Sequence, residues 1–155
     1  CEMVTGIDLV QEQIRAAAGE KLRFRQRELV FRGHAIEGRI NAEDPQSFLR
    51  APGKISALHF PGGPGLRCDS ALQAGEAVTP HYDPLVAKII AFGENREHAI
   101  RRLRNALDEA RIEGLRTNLA LHRTLLDDAN IQKGVTNLHY LEKVLAIKRD
   151  AQRKS

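Results

Sequence analysis

The residues best equipped for chemistry lie in His34 to Pro45, HAIEGRINAEDP. Side chains alternate along a strand, so Ile36, Gly38 and Ile40 share one face while Glu37, Arg39 and Asn41 share the other. Arg39, flanked by acceptors, can present its planar fork to an anion or to an oxygen that gains negative charge. Spacing alone favours a plainer use, an ion pair with Glu37 or Glu43. A second polar cluster, His81-Tyr82-Asp83-Pro84, stands just before an apolar run, on the rim of a sheet where sites often form. Its plain reading is a turn whose Asp83 caps a backbone group or pairs with Lys88 or Arg39. The third, GVTNLH from Gly134 to His139, opens a helix; a helix N-terminus favours anions, and an ordinary Asn137 cap explains the pattern equally well.

Other devices are missing. Neither a GxSxG elbow nor a phosphate-cradling GxGxxG or GxxxxGKS loop occurs. The PGGPG at Pro61 to Gly65 has prolines where a cradle needs N–H groups, and reads as a tight hairpin turn. The six histidines, at 34, 59, 81, 98, 122 and 139, form no HxH, HxxH or HExxH pair, which argues against a metal site built on local spacing. Glu43 and Asp44 diverge as neighbours on a turn, so turn and capping chemistry suits them better than an acid–base pair.

The elements that must position these groups follow from punctuation and period. At 155 residues the chain fits one domain with a core of its own. Thr5 and Asp8 precede an apolar series, Ile7, Val10, Ile14, Ala17 and Ala18, which predicts a helix from Gly6 to Ala18 with that stripe buried. Lys21 to Arg27 reads as a connector. From Leu29 to Phe92, prolines and glycines mark off short strands: Leu29–Asn41 with a bend at Gly33, Lys54–Phe60, Leu66–Ser70, Ala77–Val78 and the most buried, Leu85–Phe92. Lys88 interrupts that last run and must reach an edge or pair with an acid. Helical periods then cover Asn95 to Gly114, Asn118 to Asp128 and Asn137 to Lys148. Strands first and helices after give an α+β class, an antiparallel β-sheet with flanking helices.

A formal charge of +4, with 24 basic residues largely interleaved among 20 acids, reads as solvated surface, and without Trp the chain lacks obvious stacking platforms for nucleic acid. No apolar run approaches the roughly 20 residues that span a bilayer. Cys1 and Cys68 lack metal or redox spacing and read as reduced thiols in a cytosol-like compartment, with no disulfide. Neither nucleic acid nor membrane is an expected partner.

At this point whole motifs speak. EMVTGIDLVQEQIRAAAG, RGHAIEGRINAEDP, PGKI, HYDPLVAKIIAFGENREHAIRRLRNALDE, GLRTN and TNLHYLEK, in that order and reaching to about Leu145, closely resemble the C-terminal part of biotin carboxylase. That family is built on the ATP-grasp fold. It uses MgATP (or MnATP) and bicarbonate to make carboxyphosphate, and then carboxylates N1′ of a biotin held on a carrier domain. Its members stand alone or form part of acetyl-CoA carboxylase, with its role in fatty acid biosynthesis, of other acyl-CoA and pyruvate carboxylases, and of urea carboxylase.

The resemblance implies particular roles. Arg39 matches the arginine that binds the biotin ureido oxygen and bicarbonate. Leu138 matches an aliphatic residue packed on the adenine, with His139 beside the nucleotide. Tyr82 and Asp83 match a polar motif on the biotin side. Pro64 and Arg67 match a surface used by bacterial members for a homodimer, some of which have an aromatic residue in place of Pro64. The family's metal ligands, bicarbonate-holding residues and main ATP grip lie before the point matching Glu2. The expectation is therefore one wall of an active site, inactive alone. Residues 1–28 would end the ATP-grasp segment, 29–148 form the C-terminal domain and 149–155 a basic tail that frays. Expected partners are the N-terminal ATP-grasp portion, the biotin carboxyl carrier domain and carboxyltransferase; the setting is cytoplasmic, or the mitochondrial matrix in a eukaryote. Met3 is the only methionine, so the MKM biotinylation motif is absent. The alternative is a non-catalytic module for dimerisation or carrier-protein binding.

Overall fold

A computed structural model describes residues 1–144. Its centre is an antiparallel three-stranded sheet of β1 (His34–Asn41), β6 (Leu85–Gly93) and β4 (Leu66–Asp69), in the order β1-β6-β4. The near-continuous apolar run becomes the middle strand. Val86, Ala87, Ile89 and Ala91 are buried against α3 (Arg96–Glu109), whose Ala99, Ile100, Leu103, Ala106 and Leu107 form the facing stripe. Asn95 caps that helix, its Oδ1 accepting from the His98 N–H at 2.9 Å. β1 alternates as its sequence demands: Gly38 and Ile40 are buried, Glu37 and Arg39 exposed. At its end the register shifts between Ile40 and Asn41, so that Val86 bulges out of the pairing and is buried beside Ala87.

Two smaller two-stranded sheets flank the centre. β2 (Gly53–Lys54) pairs with β5 (Ala77–Val78), and β3 (Ala57–His59) pairs with β7 (Arg111–Glu113). The expected strand Lys54–Phe60 is thus split between two sheets at the buried Ile55. PGGPG is a turn but not a hairpin, because β3 and β4 on either side of it belong to different sheets. Helix α3 ends at Glu109 rather than at Gly114, since residues 111–113 gain a strand partner in β3. Gly114 has φ 85°, and a Cβ there would run into the Lys54 carbonyl, so glycine is what lets the chain turn back beside β2. After it come α4 (Leu119–Leu126), within the helix expected from Asn118 to Asp128, and α5 (Ala129–Lys133), a further short helix that was not expected and that Asp128 caps. Residues 140–144 are helical; the rest of the expected Asn137–Lys148 helix and the basic tail lie outside the described residues.

The N-terminal helix departs most. Gly6 in the left-handed region ends α1 (Glu2–Thr5), and Asp8 caps a separate α2 (Leu9–Ala17). Its stripe faces the other way from the one expected: Val10 and Ile14 are 60% and 66% exposed, while Glu12 is buried. Over the buried side lies the connector, with the Arg23 Nε donating to Glu12 at 2.5 Å and the Arg23 backbone N–H donating at 3.3 Å. The strand expected from Leu29 begins only at His34. Gly33, at φ 61°, sits so close to the Gly93 carbonyl and the Phe92 ring that no side chain fits. Among the described residues, no helix is long and apolar enough to cross a membrane.

Candidate functional site

Arg39 stands on the outer face of the sheet, with its side chain half exposed. The ion pair expected from spacing is weak: the nearest acid is Glu37, with Nη1 to Oε1 at 3.9 Å. Glu43, the other expected partner, accepts instead from the side-chain amides of Asn118 at 3.0 Å and Asn41 at 3.3 Å. Directly across the register from Arg39 is Lys88, and beyond Lys88 is Asp69. Lys88 makes no ion pair among the described residues, so the acid partner expected for it is not formed. Like charges directly opposite on a sheet repel, and an anion on this face would offset the repulsion.

The Arg39 backbone is held from the opposite side. Its carbonyl accepts from Asn118 Nδ2 at 3.1 Å and from His122 Nε2 at 2.8 Å, while the Asn41 N–H donates to Asn118 Oδ1 at 2.9 Å. Burial pushes the His122 imidazole below its ordinary value, with the Arg39 carbonyl and the Glu43 charge pulling it partly back. It is therefore neutral near pH 7, with its proton on Nε2 to make that bond. Sequence reasoning missed both residues. Asn118 ends the GLRTN motif and reads as a helix cap, which hides its use; His122 carries no local signal. Asn41 Oδ1 is buried without a hydrogen-bond partner among the described residues.

The Tyr82–Asp83 loop comes to the same end of the sheet, because the Ala42 N–H donates to the Pro84 carbonyl at 2.7 Å. Tyr82 is 78% exposed and its carbonyl accepts from Arg50. Asp83 caps the start of β6, accepting from the Leu85 N–H at 2.8 Å, and it pairs with neither Lys88 nor Arg39. In the neighbouring turn, Asp44 accepts from the Ser47 and Gln46 N–H groups and from Arg116, which holds its carboxyl down at about 2.

Leu138 and His139 belong to the other end of β1. Their segment is tied to the start of α5 through the Tyr140 hydroxyl, which donates to Asp128 at 2.8 Å, and α5 is in turn tied to β1 by Arg96, which bridges His34 Nε2 and the Ile131 and Gln132 carbonyls. His34 and Arg39 are five residue steps apart, roughly 17 Å along the strand. Leu138 is 95% exposed, and Asn137 accepts from the His139 N–H at 3.0 Å, the expected cap. Arg67, the expected dimer residue, is engaged within the chain by Glu2 and by Asp69, whose Oδ1 lies 2.8 Å from its Nε. Between α1, α2 and the outer sheet face runs a cleft of 450 Å³, lined by Glu37, Arg67, Asp69, Lys88 and Ile90 among others.

Known proteins share this fold. The family described as biotin carboxylase C-terminal domain matches residues 37–143. The biotin carboxylase of Haemophilus influenzae is 55% identical over 146 residues, covering 94% of this chain and 33% of that protein. The Pseudomonas aeruginosa biotin carboxylase is 53% identical over 146 residues, covering 94% and 32%. The biotin carboxylase domain dimer of Hydrogenobacter thermophilus 2-oxoglutarate carboxylase, solved with MgADP, ADP and bicarbonate, superimposes with a TM-score of 0.87 at 42% identity, over 92% of this chain and 32% of that one. The chain thus spans about a third of the length of the relatives it matches. With the family match, the high identity and the shared α+β fold together, the chain belongs to the biotin carboxylase C-terminal domain family.

Proposed function

We propose that this chain is the part of a biotin carboxylase that presents Arg39 to carrier-bound biotin, in an enzyme that uses MgATP and bicarbonate to carboxylate N1′. The observation that carries this is Arg39 itself: a guanidinium on a strand with its backbone fixed, its nearest acid 3.9 Å away and a second cation across the register. When N1′ gives up its proton, the ureido oxygen gains negative charge, which a fixed guanidinium stabilises more in the transition state than before it. Lys88 adds positive potential to the same face, which suits bicarbonate. Tyr82 and Asp83 border the biotin side, and Leu138 offers an exposed apolar contact to adenine, with His139 beside the nucleotide.

Among the described residues, no group of three or more His, Cys, Asp or Glu could hold a metal ion. We assign Mg²⁺ or Mn²⁺, and most of the grip on ATP, to an ATP-grasp portion whose end is residues 1–28. The family match beginning at residue 37 supports that division, with 29–148 as the C-terminal domain and 149–155 as a tail. The biotin carboxyl carrier domain, carboxyltransferase and a homodimer complete the assembly, in the cytoplasm or the mitochondrial matrix, and the dimer of the 2-oxoglutarate carboxylase domain supports the last partner. In the complete carboxylase, Arg39→Ala lowers biotin carboxylation by about 10²–10³, roughly 2.7–4 kcal/mol, with ATP affinity nearly intact. Unchanged carboxylation would make Arg39 structural. The isolated chain shows no bicarbonate-dependent ATP hydrolysis; turnover there would overturn the one-wall reading. A second reading, a non-catalytic surface for a dimer or a carrier protein, draws on the outward Val10 and Ile14.

A further inference from the structure

Asn118 occupies the N-cap position of α4, yet its side chain makes no capping bond. Its hydrogen-bonding groups are directed at another element. Oδ1 accepts from the Asn41 N–H at 2.9 Å; Nδ2 donates to the Arg39 carbonyl at 3.1 Å and to Glu43 Oε1 at 3.0 Å; and the Asn118 backbone N–H donates to the Asn41 carbonyl at 3.2 Å. The partners fix the amide's orientation, because a backbone N–H must face the oxygen and a carbonyl must face the nitrogen. The residue is 6% exposed, so these bonds form away from competing water.

β1 is an edge strand of the order β1-β6-β4. Its odd-numbered residues turn their backbone groups away from β6, and at Arg39 and Asn41 those outward groups meet Asn118 instead of a fourth strand. One asparagine therefore acts as a one-residue β-strand at the bulged end of β1, where the regular ladder no longer sets the chain. His122 Nε2 adds a second donor to the Arg39 carbonyl at 2.8 Å.

We infer that Asn118 is a positioning residue for the Arg39 guanidinium, clamping the strand from its open edge so that the fork is held where charge develops. The inference rests on the biotin carboxylase reading. A misplacement of about 1 Å at such a group costs on the order of 10²-fold in rate, and a partial loosening should cost about 10-fold.

The test is a double-mutant cycle in the complete carboxylase that carries this chain. Asn118→Ala should lower the kcat of biotin carboxylation about 10-fold and leave the Kd for ATP unchanged, but in an Arg39→Ala background it should lower the rate less than 2-fold, because Asn118 acts through Arg39. Hydrogen–deuterium exchange should accelerate in the peptide containing Asn41. Asn118→Asp serves where Ala fails to fold: it keeps the acceptor for the Asn41 N–H, removes the donor to the Arg39 carbonyl and places a carboxylate beside Glu43, so it should lose at least as much rate. Equal losses with and without Arg39 would show general destabilisation and overturn the inference, as would an unchanged kcat with accelerated exchange at Asn41. A wild-type enzyme without biotin-dependent turnover would overturn the functional reading itself, a result separate from either.

Discussion

The two ends of β1 carry two candidate contacts, and they are supported by different chemistry. At the Asn41 end, α4 reaches across with Asn118 and His122 and grips the backbone of Arg39 directly. At the His34 end, the Leu138 segment is tied to α5 through a tyrosine hydroxyl, and the Leu138 side chain stands 95% exposed. The contrast matches the work each end is assigned. A cation that must meet a developing charge needs its position fixed to a fraction of an ångström. An apolar side chain that covers one face of a flat ring gains many weak contacts and tolerates small shifts.

Substitutions can break this contrast, beginning with the strongest. Arg39→Lys keeps the charge but removes the fork, and should lower biotin carboxylation at least about 10-fold with ATP affinity unchanged. If lysine serves as well, charge alone matters and the rigid clamp loses its purpose. Leu138→Ala should do the reverse, raising the KM for ATP by about 5–10-fold while kcat at saturating ATP and the melting temperature hold. A fall in kcat would mean that the two ends are not independent. Tyr140→Phe removes the hydroxyl that ties the Leu138 segment to Asp128 and should cost about 1 kcal/mol of stability in urea unfolding.

The smallest effect is a pH dependence at the clamped end. His122 has a folded-state value below the ordinary histidine value of about 6.5, so the unfolded chain binds more protons in that range. Its contribution to stability is present above about 6.5 and is lost as pH falls through the folded value. Urea titrations at pH 7.5 and 5.5 should show that loss, and His122→Gln should reduce it. An equal loss in the variant would place the titration elsewhere.

The parts of the fold that were legible in the sequence are those where one period dominates. The alternation in β1 and the Ile100-Leu103-Leu107 stripe of α3 each state which side is buried, and the apolar run of β6 marks the central strand, although from Ala87 on only alternate residues of it are buried. What could not be read depends on contacts distant in sequence. α2 keeps its helix but turns its stripe outward and its Glu12 toward the connector, where Arg23 meets it, an arrangement no local pattern contains. β7 exists because β3 is there to pair with it, and without that partner residues 111–113 read as the tail of a helix. The same holds at the site. Arg39 could be singled out by its strand face, but its clamp comes from 79 residues further on, through an asparagine whose type signals a cap.

The reversed polarity of α2 has a colloidal consequence. Val10 and Ile14 stand in water, so this corner of the protein offers two apolar side chains to neighbouring molecules. Ammonium sulfate strengthens contacts between such surfaces, as does high protein concentration. The chain should therefore salt out earlier than its net charge of +4 suggests, and a lysine at position 10 or 14 should raise that threshold without touching the sheet.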